Sequence, residues 1–424
     1  RLFSNLEECE VPEEGFKHKP GNLLAATATV TGTTVGAGIL ALPATTITPG
    51  FIPSSAALIV AWIFMSCTGL LVAEVNVNLI CRNGQTGQGL LTLAEQSIGK
   101  GRARVAAVVY VVIHFALLVA YIAQGGGLLA SGVGSLLGLP PGQVLPWEGS
   151  VAFTALIGGF MAVKSEEAVT QLNNFLVALV LASFVGLLGF GAQGVHPEYL
   201  LHTDVPAVIH AFPVMFVALV FHNVIPVITT QLEADIGKIR AAILGGSALP
   251  LVMFLLWNAV ILGSVDPELP RASGFDPVAM LEQNAGDVVA PLVTGFSEVA
   301  IITSFIGFVI GLLDFFTDAF DIEAGNRAKE APLFALILLP PLAVACTNPD
   351  IFFKALDNAG AFGISLLFGA LPALMAWSQR YCDDEVVATF PLVPGGRAGL
   401  ASILGISGMV VLQKAVEDLS QFFE

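Results

Sequence analysis

Residues 32–43 read GTTVGAGILALP, and this stretch decides the fold. It places three glycines within seven residues and ends on Pro43, in the middle of an apolar run over residues 22–48. Glycine weakens a helix and proline removes one of its hydrogen bonds. Within a bilayer, an opened backbone is tolerated only where it meets protein groups or lines a cavity. The stretch therefore predicts a membrane helix that opens at its centre.

An opened helix of this kind offers backbone groups to a ligand. Free N–H groups at the start of a half-helix can hold a carboxylate, and released carbonyl groups can hold an ammonium group or a cation. Small residues also allow two helices to pack closely, as in Gly-xxx-Gly contacts. The glycines alone leave both interpretations open.

The composition supports a membrane protein. Of 424 residues, 55% are hydrophobic and 12% are charged, whereas soluble proteins carry about 25% charged residues. The net charge of -16 argues against a nucleic-acid partner, because phosphate binding needs clustered cations. The five cysteines are scattered and contain no CxxC pair, so they predict neither a disulfide framework nor a zinc site.

Apolar runs long enough to cross a bilayer recur along the whole chain. A membrane helix needs about 20 apolar residues, and eleven runs qualify. They are 22–48, 53–81, 104–137, 149–164, 168–192, 204–230, 240–264, 288–317, 332–348, 358–380 and 391–413. The sequence therefore predicts an all-α multi-pass membrane protein with about eleven transmembrane helices.

The positions of the cations fix an orientation for these helices. With the N-terminus inside, 14 of the 17 Lys and Arg residues fall in inner segments. Only Arg271, Lys354 and Lys414 fall in outer segments. Such an excess of inner cations is typical of a correct topology. The N-terminus is therefore predicted on the cytoplasmic or stromal side and the C-terminus outside.

A second interrupted helix predicts an inverted repeat. The sixth run contains Pro213 and Pro226, with the polar pair His222 and Asn223 between them. The first and sixth runs are five apart, so the two halves would enter the membrane from opposite sides. Matched broken helices in inverted halves indicate a substrate site at the bilayer midplane. We expect a 5+5 repeat with helices 1 and 6 broken.

Three motifs resemble those of one known family, the tryptophan/tyrosine or hydroxy/aromatic amino acid permeases of the amino acid–polyamine–organocation superfamily. They are GTTVGAGILALP at 32–43, FPVMFVALVFHNVIP at 212–226, and SFIG at 304–307 continuing to GLLDFF at 311–316. The resemblance extends over residues 20–415. It implies eleven helices, a 5+5 inverted repeat and proton-driven transport of aromatic amino acids. Residues 217–220 depart from the family pattern, which has Ser and Gly there, so the pocket here is more apolar.

The predicted substrate site combines the two breaks. Backbone groups of the first break would bind the amino acid head, and the sixth helix would surround the side chain. Gly36, Gly38 and Ala218 would leave room for a bulky ring. The substrate-binding candidates are Thr33, Thr34, Val35, Gly36, Ala37, Gly38, Val217, Ala218, Leu219 and Phe221.

Ionisable and hydroxyl side chains within the runs are candidates for coupling or gating, because buried charge in a membrane is costly. These candidates are His222, Glu74, Glu298, Thr303 and Ser304. Thr303 and Ser304 would meet the opened first helix, where related folds hold a cation, or would bond to carbonyls of their own helix. Glu74 would form an inner-gate contact or lie in solvent. A structural role is expected for His114, and Asp314 and Asp318 are expected near the inner surface.

These features predict a secondary active transporter of tyrosine or tryptophan and not an enzyme, since the runs contain no nucleophile–base pair or metal cluster. The expected mechanism is proton-coupled symport by alternating access, with Na+ as the alternative to the proton, and no cofactor is expected. A passive channel for a small neutral solute is the alternative. The expected partners are an amino acid and the lipid bilayer.

The chain is predicted to contain one transporter domain over 21–415, between an acidic tail over 1–20 and a C-terminal tail over 416–424. Residues 22–192 would form the first repeat, 204–380 the inverted second repeat, and 391–413 an extra helix. The acidic start without Met favours the chloroplast inner envelope slightly over a bacterial inner membrane.

Overall fold

A computed structural model describes residues 6–8, 16–18, 21–84, 88–140, 143–267, 286–320, 322, 327–382 and 391–423. Within the predicted acidic tail, β1 (Leu6–Glu8) pairs antiparallel with β2 (Phe16–His18). The α-helices of the first half are α1 (Leu23–Thr34), α2 (Gly38–Thr46), α3 (Phe51–Asn83), α4 (Leu90–Ile98), α5 (Lys100–Leu136), α6 (Pro146–Phe153), α7 (Gly159–Val163) and α8 (Glu166–Gly191). Those of the second half are α9 (Phe212–Ala218), α10 (Ile225–Gln231), α11 (Ile236–Ser264), α12 (Gly286–Phe320), α13 (Arg327–Thr347), α14 (Phe352–Asn358), α15 (Leu371–Tyr381) and α16 (Gly396–Phe423).

Most of the predicted membrane runs correspond to long apolar helices. Among the described residues, nine helical segments are long and apolar enough to cross a bilayer, and a tenth is the bent pair α1 and α2. The predicted run 149–164 falls within a shorter helix, in which a π-helical turn over Thr154–Gly158 joins α6 to α7. This helix does not meet the same criterion, so eleven spans stay a prediction.

The end of the chain differs from its prediction. The last helix begins at Gly396 instead of residue 391, and it continues to Phe423 through the stretch 416–424 that was predicted as a tail. Ion pairs explain the longer helix, because Lys414 contacts Asp357 of α14 at 2.7 Å and Asp418 of its own helix at 3.0 Å. The Lys414 side chain is 8% exposed.

Part of the surface of the helical bundle is apolar, as contact with lipid requires. On α5, Val105, Val108 and Val112 recur at helical spacing and are 65%, 64% and 61% exposed. Soluble proteins rarely expose continuous apolar stripes of this kind. The exposed stripe and the long apolar helices establish a multi-pass integral membrane protein.

Contacts between the helices bring distant parts of the chain together around the two breaks. The first half-helix α1 packs along α11, and α2 packs against α9. The long helix α12 packs between α5 and α8, while α9 also contacts the π-helical segment over Ala359–Ala370. The predicted breaks in the first and sixth runs therefore lie next to each other and beside α12.

Candidate functional site

The first break separates α1 from α2 over residues 35–37. The two helices meet at a bend of 54°. Val35 adopts an extended conformation, with φ -80° and ψ 100°, so the helical hydrogen-bond ladder stops there. The N–H of Ala37 instead donates to the hydroxyl of Ser304 on α12, at 2.8 Å. A side chain from a second helix thus replaces the lost backbone partner, as an opened helix in a membrane requires.

Two more backbone donors lie at this break. Among the described residues, the N–H groups of Gly36 and Gly38 make no backbone–backbone hydrogen bond. Gly36 precedes α2, and Gly38 is its first residue. The N-terminal end of a helix carries partial positive charge. The use of the first break to hold an anionic group stays a prediction.

The second break separates α9 from α10 over residues 219–224. Phe221 has φ -147° and ψ 6°, and a 3-10 turn follows over His222–Val224. The sequence indicated an interruption in the run that contains Pro213 and Pro226, and these two prolines lie in the first turns of α9 and α10. Proline is tolerated in a first turn because the N–H it lacks has no partner there. The prolines therefore start the two half-helices, and the open segment lies between them.

The two broken helices touch each other at Gly38. A Cβ atom at this position would lie 2.7 Å from the Cα of Ala218 and 3.2 Å from its backbone N. Real Cβ atoms do not approach backbone this closely, so only glycine permits the contact. The sequence predicted that the small residues Gly38 and Ala218 leave room for a substrate ring. In the structure, these two residues pack against each other and occupy that room.

A cavity of about 940 Å³ lies on one side of these breaks. Its walls come from α1, α4, α5, α8, α10, α12 and the open segment 220–224, and it reaches Gln88 and Asp318 at the end of the bundle that was predicted as inner. It includes no residue of α2 or α9. On the opposite side, α2 and α9 are almost entirely buried, with α9 fully packed from Pro213 to Ala218. The site is thus open toward one end of the bundle.

Three of the ten predicted substrate residues border this cavity. Thr33, Val35 and Phe221 line it, although the hydroxyl of Thr33 donates to the Thr29 carbonyl of its own helix. The other seven are not in its lining, and all but the half-buried Gly36 are buried: Thr34, Gly36, Ala37, Gly38, Val217, Ala218 and Leu219. Their part in substrate binding stays a prediction.

His222 connects the second break to α3. Its Nε2 lies 2.9 Å from the hydroxyl of Thr68, which itself donates to the Met65 carbonyl. A hydroxyl has one proton to donate, so Thr68 accepts from the Nε2–H of His222. The ring is fully buried between Phe221 and Phe368, and its Nδ1 has no hydrogen-bond partner among the described residues. His222 therefore borders the cavity as part of its packed wall.

The two carboxylates predicted for coupling lie apart from the cavity. Glu74 accepts two hydrogen bonds from Arg380, at 2.6 and 2.7 Å, and one from the N–H of Leu392 at 2.7 Å. It is 1% exposed, so the inner contact is present and the solvated alternative is wrong. Glu298 is half-buried, and its Oε2 has no hydrogen-bond partner in the described part of the chain.

The two hydroxyl candidates take different roles. Ser304 meets the opened first helix as expected, through Ala37. Thr303 donates to the Ala300 carbonyl of its own helix, which was the alternative. Both residues line the cavity, but only Ser304 bonds to the break.

An aromatic wall in the cavity was not predicted. Tyr110 and His114 of α5 lie with ring centroids 3.8 Å apart, and they contact Phe315 and Phe308 of α12. Asn173 of α8 lies in the same cavity. The i,i+4 spacing of Tyr110 and His114 was visible in the sequence. Because apolar residues surround them on every side of the run, the pattern did not predict which face of α5 points inward.

The Ser304 hydroxyl gives a direct prediction. Ser304→Ala would leave the Ala37 N–H without a partner, which costs about 1–3 kcal/mol for a buried group. We expect a lower thermal unfolding temperature in detergent. We also expect that uptake of the aromatic amino acid predicted as the substrate falls several-fold. Ser183→Ala is the matched control, because that hydroxyl bonds only within its own helix. Equal stability and uptake in both variants would contradict the assigned role of Ser304.

Comparison with known proteins gives this geometry a context. The fold matches the crystal structure of MhsT in complex with L-phenylalanine, with a TM-score of 0.60 and 16% identity over 93% of this chain and 98% of that one. "Tyrosine-specific transport system 1" of Haemophilus influenzae is 30% identical over 367 residues, 84% of this chain and 88% of the relative. The "Tryptophan-specific transport protein" of the same organism is 26% identical over 389 residues, 86% and 89% of the two chains.

The resemblance found in the three sequence motifs is therefore confirmed along nearly the whole chain. Residues 19–414 match one family, and the fold and the similar proteins agree with it. The chain belongs to the tryptophan/tyrosine permease family.

Proposed function

We propose that this protein carries tyrosine or tryptophan across a membrane by alternating access. The observation that carries this proposal is the one-sided cavity: it reaches the two breaks from one end of the bundle, while α2 and α9 are packed against each other beyond them. A carrier that exposes its site to one side at a time has this arrangement in one of its states. A passive channel would need a path through the contact between Gly38 and Ala218.

Two observations support an aromatic amino acid as the substrate. Relatives named for tyrosine and for tryptophan transport align over more than four-fifths of the chain. The cavity wall also contains the aromatic side chains of Tyr110, His114, Phe308 and Phe315, against which a substrate ring can stack. Backbone groups of the first break would hold the amino acid head, and the open segment of the second break would complete the site.

A proton is the coupling ion that we propose. His114, His222 and Glu298 lie within membrane-spanning helices and can change charge on binding a proton. Na+ is the competing ion, because the Ser304 hydroxyl and the backbone carbonyls of the first break are oxygen ligands. We place the N-terminus on the cytoplasmic or stromal side. The named relatives are bacterial and give no support to a chloroplast envelope, so a bacterial inner membrane fits them better.

Uptake into proteoliposomes tests the substrate and the ion together. Labelled tyrosine and tryptophan are offered under an inward proton gradient, an inward Na+ gradient, or neither, with glutamine and glutamate as non-aromatic controls. We expect accumulation of an aromatic amino acid under the proton gradient and its collapse on adding a protonophore. Accumulation driven only by Na+ would overturn the proposed ion, and accumulation of glutamine alone would overturn the proposed substrate.

A further inference from the structure

His114 presents a hydrogen-bond acceptor to the cavity. Its Nδ1 lies 2.8 Å from the backbone carbonyl of Tyr110. A carbonyl oxygen only accepts, so Nδ1 carries the ring proton and donates it. The neutral imidazole then has an unprotonated Nε2, which can accept one hydrogen bond. Nε2 has no hydrogen-bond partner among the described residues, and His114 lines the cavity.

The surroundings of Nε2 hold it in place and leave space in front of it. The ring packs against Tyr110 and Phe308, with ring centroids 3.8 Å and 4.9 Å away. The hydroxyl of Tyr110 donates a hydrogen bond to the Gly311 carbonyl at 3.2 Å. Gly311 has no side chain, and a Cβ atom there would lie 3.4 Å from Nε2 and 3.0 Å from the Tyr110 hydroxyl. This glycine keeps open the part of the cavity that Nε2 borders.

The position of Nε2 along the bundle matches the length of an aromatic amino acid. On α12, Ser304 bonds to the first break, Phe308 contacts the His114 ring, and Gly311 faces Nε2. With a helical rise of 1.5 Å per residue, Phe308 lies about 6 Å and Gly311 about 10 Å beyond Ser304. An amino acid head bound at the break would therefore place the far edge of a tyrosine or tryptophan ring near His114.

We propose that His114 determines specificity, with its Nε2 accepting a hydrogen bond from the donor at the edge of the substrate ring. The proposal rests on the proposed function, since it takes the substrate head to be bound at the first break. Tyrosine offers its phenolic O–H and tryptophan its indole N–H. Phenylalanine has the phenyl ring of tyrosine but no donor, so it would leave Nε2 facing an apolar ring.

The aromatic wall alone would give a different preference. Stacking against Tyr110 and Phe308 favours any aromatic ring, including that of phenylalanine. Asp314 lies farther along α12 and borders the cavity nearer its open end. An acceptor at that carboxylate would be insensitive to a change at His114. These two alternatives are therefore separated by a variant of His114 and by pairs of substrates that share a ring system and differ in whether its edge carries a donor.

The experiment compares matched substrates in proteoliposomes containing the full chain. Inhibition of labelled-tyrosine uptake is measured for tyrosine against phenylalanine and for tryptophan against 1-methyltryptophan. A neutral hydrogen bond predicts that each donor compound inhibits about tenfold more strongly than its partner. His114→Leu should reduce both ratios to near unity, whereas His114→Gln, which keeps an acceptor, should retain part of the preference.

The results that would contradict the role of His114 differ from those that would contradict the proposed function. Tyr121→Phe removes a hydroxyl two turns away on α5, so its ratios should equal those of the unchanged protein. Equal inhibition by phenylalanine and tyrosine in the unchanged protein would overturn the proposal without any variant. Unchanged ratios in His114→Leu would overturn it as well. A failure of the proposed function would instead appear as no uptake of any aromatic amino acid.

Discussion

Gly38→Leu is expected to reduce aromatic amino acid uptake on the order of 100-fold, because it separates the two broken helices. The smallest part of the new side chain, its Cβ, would already lie 2.7 Å from the Cα of Ala218. Backbone atoms cannot move aside as a flexible side chain can, so α2 and α9 must shift apart. A displacement of about 1 Å in groups that position a substrate can cost about 100-fold in rate.

The change is measured as initial uptake of labelled tyrosine in proteoliposomes, normalised to the amount of inserted protein. Gly189→Leu is the matched control, because Gly189 lies on the exposed side of α8 and a Cβ there meets nothing within 4 Å. Near-normal uptake by Gly38→Leu would contradict the close approach of the two half-helices. Loss of uptake in both variants would point to a general effect of the added bulk.

Arg380→Ala is expected to destabilise the protein by about 3–5 kcal/mol, because it leaves a buried carboxylate without its cation. Glu74 and Arg380 are 1% and 5% exposed and are joined by two short hydrogen bonds. They connect α3 with α15, while the N–H of Leu392 binds the same carboxylate and attaches the segment that leads into α16.

Thermal unfolding in detergent or nanodiscs measures this effect. The double variant Glu74→Leu with Arg380→Leu should recover much of the loss, since replacing both buried charges by apolar groups removes the unpaired one. Lys100→Ala is the control, because its pair with Glu95 is exposed and contributes about 0–1 kcal/mol. A double variant as unstable as Arg380→Ala would show that the pair is needed for more than charge compensation.

The sequence predicted the first break well because its cause is local. Glycines at 32, 36 and 38 weaken any helix that contains them, and the observed break falls at 35–37 within the predicted stretch. The second break was predicted in the run that contains Pro213 and Pro226, and it lies between these prolines. Proline disrupts a helix interior but starts a helix comfortably, so the same residues predict either position until the half-helices are seen.

Contacts between distant residues could not be predicted from single positions. Glu74 was recognised as an unusual membrane carboxylate, but its partner Arg380 is 306 residues away along the chain. Lys414 was placed in an outer segment, and the sequence does not reveal its pairing with Asp357 of α14. His114 was expected to be structural, since its cavity-facing nitrogen depends on which face of α5 packs against α12.

Counterflow of labelled tyrosine tests the central claim most directly. Proteoliposomes are loaded with unlabelled tyrosine at high concentration, diluted into a trace of labelled tyrosine, and sampled over time without any ion gradient. A carrier that exposes one side at a time exchanges internal for external substrate, so we predict transient accumulation of label above the external concentration. Label that only equilibrates, at the same rate with empty and loaded vesicles, would contradict alternating access for this protein.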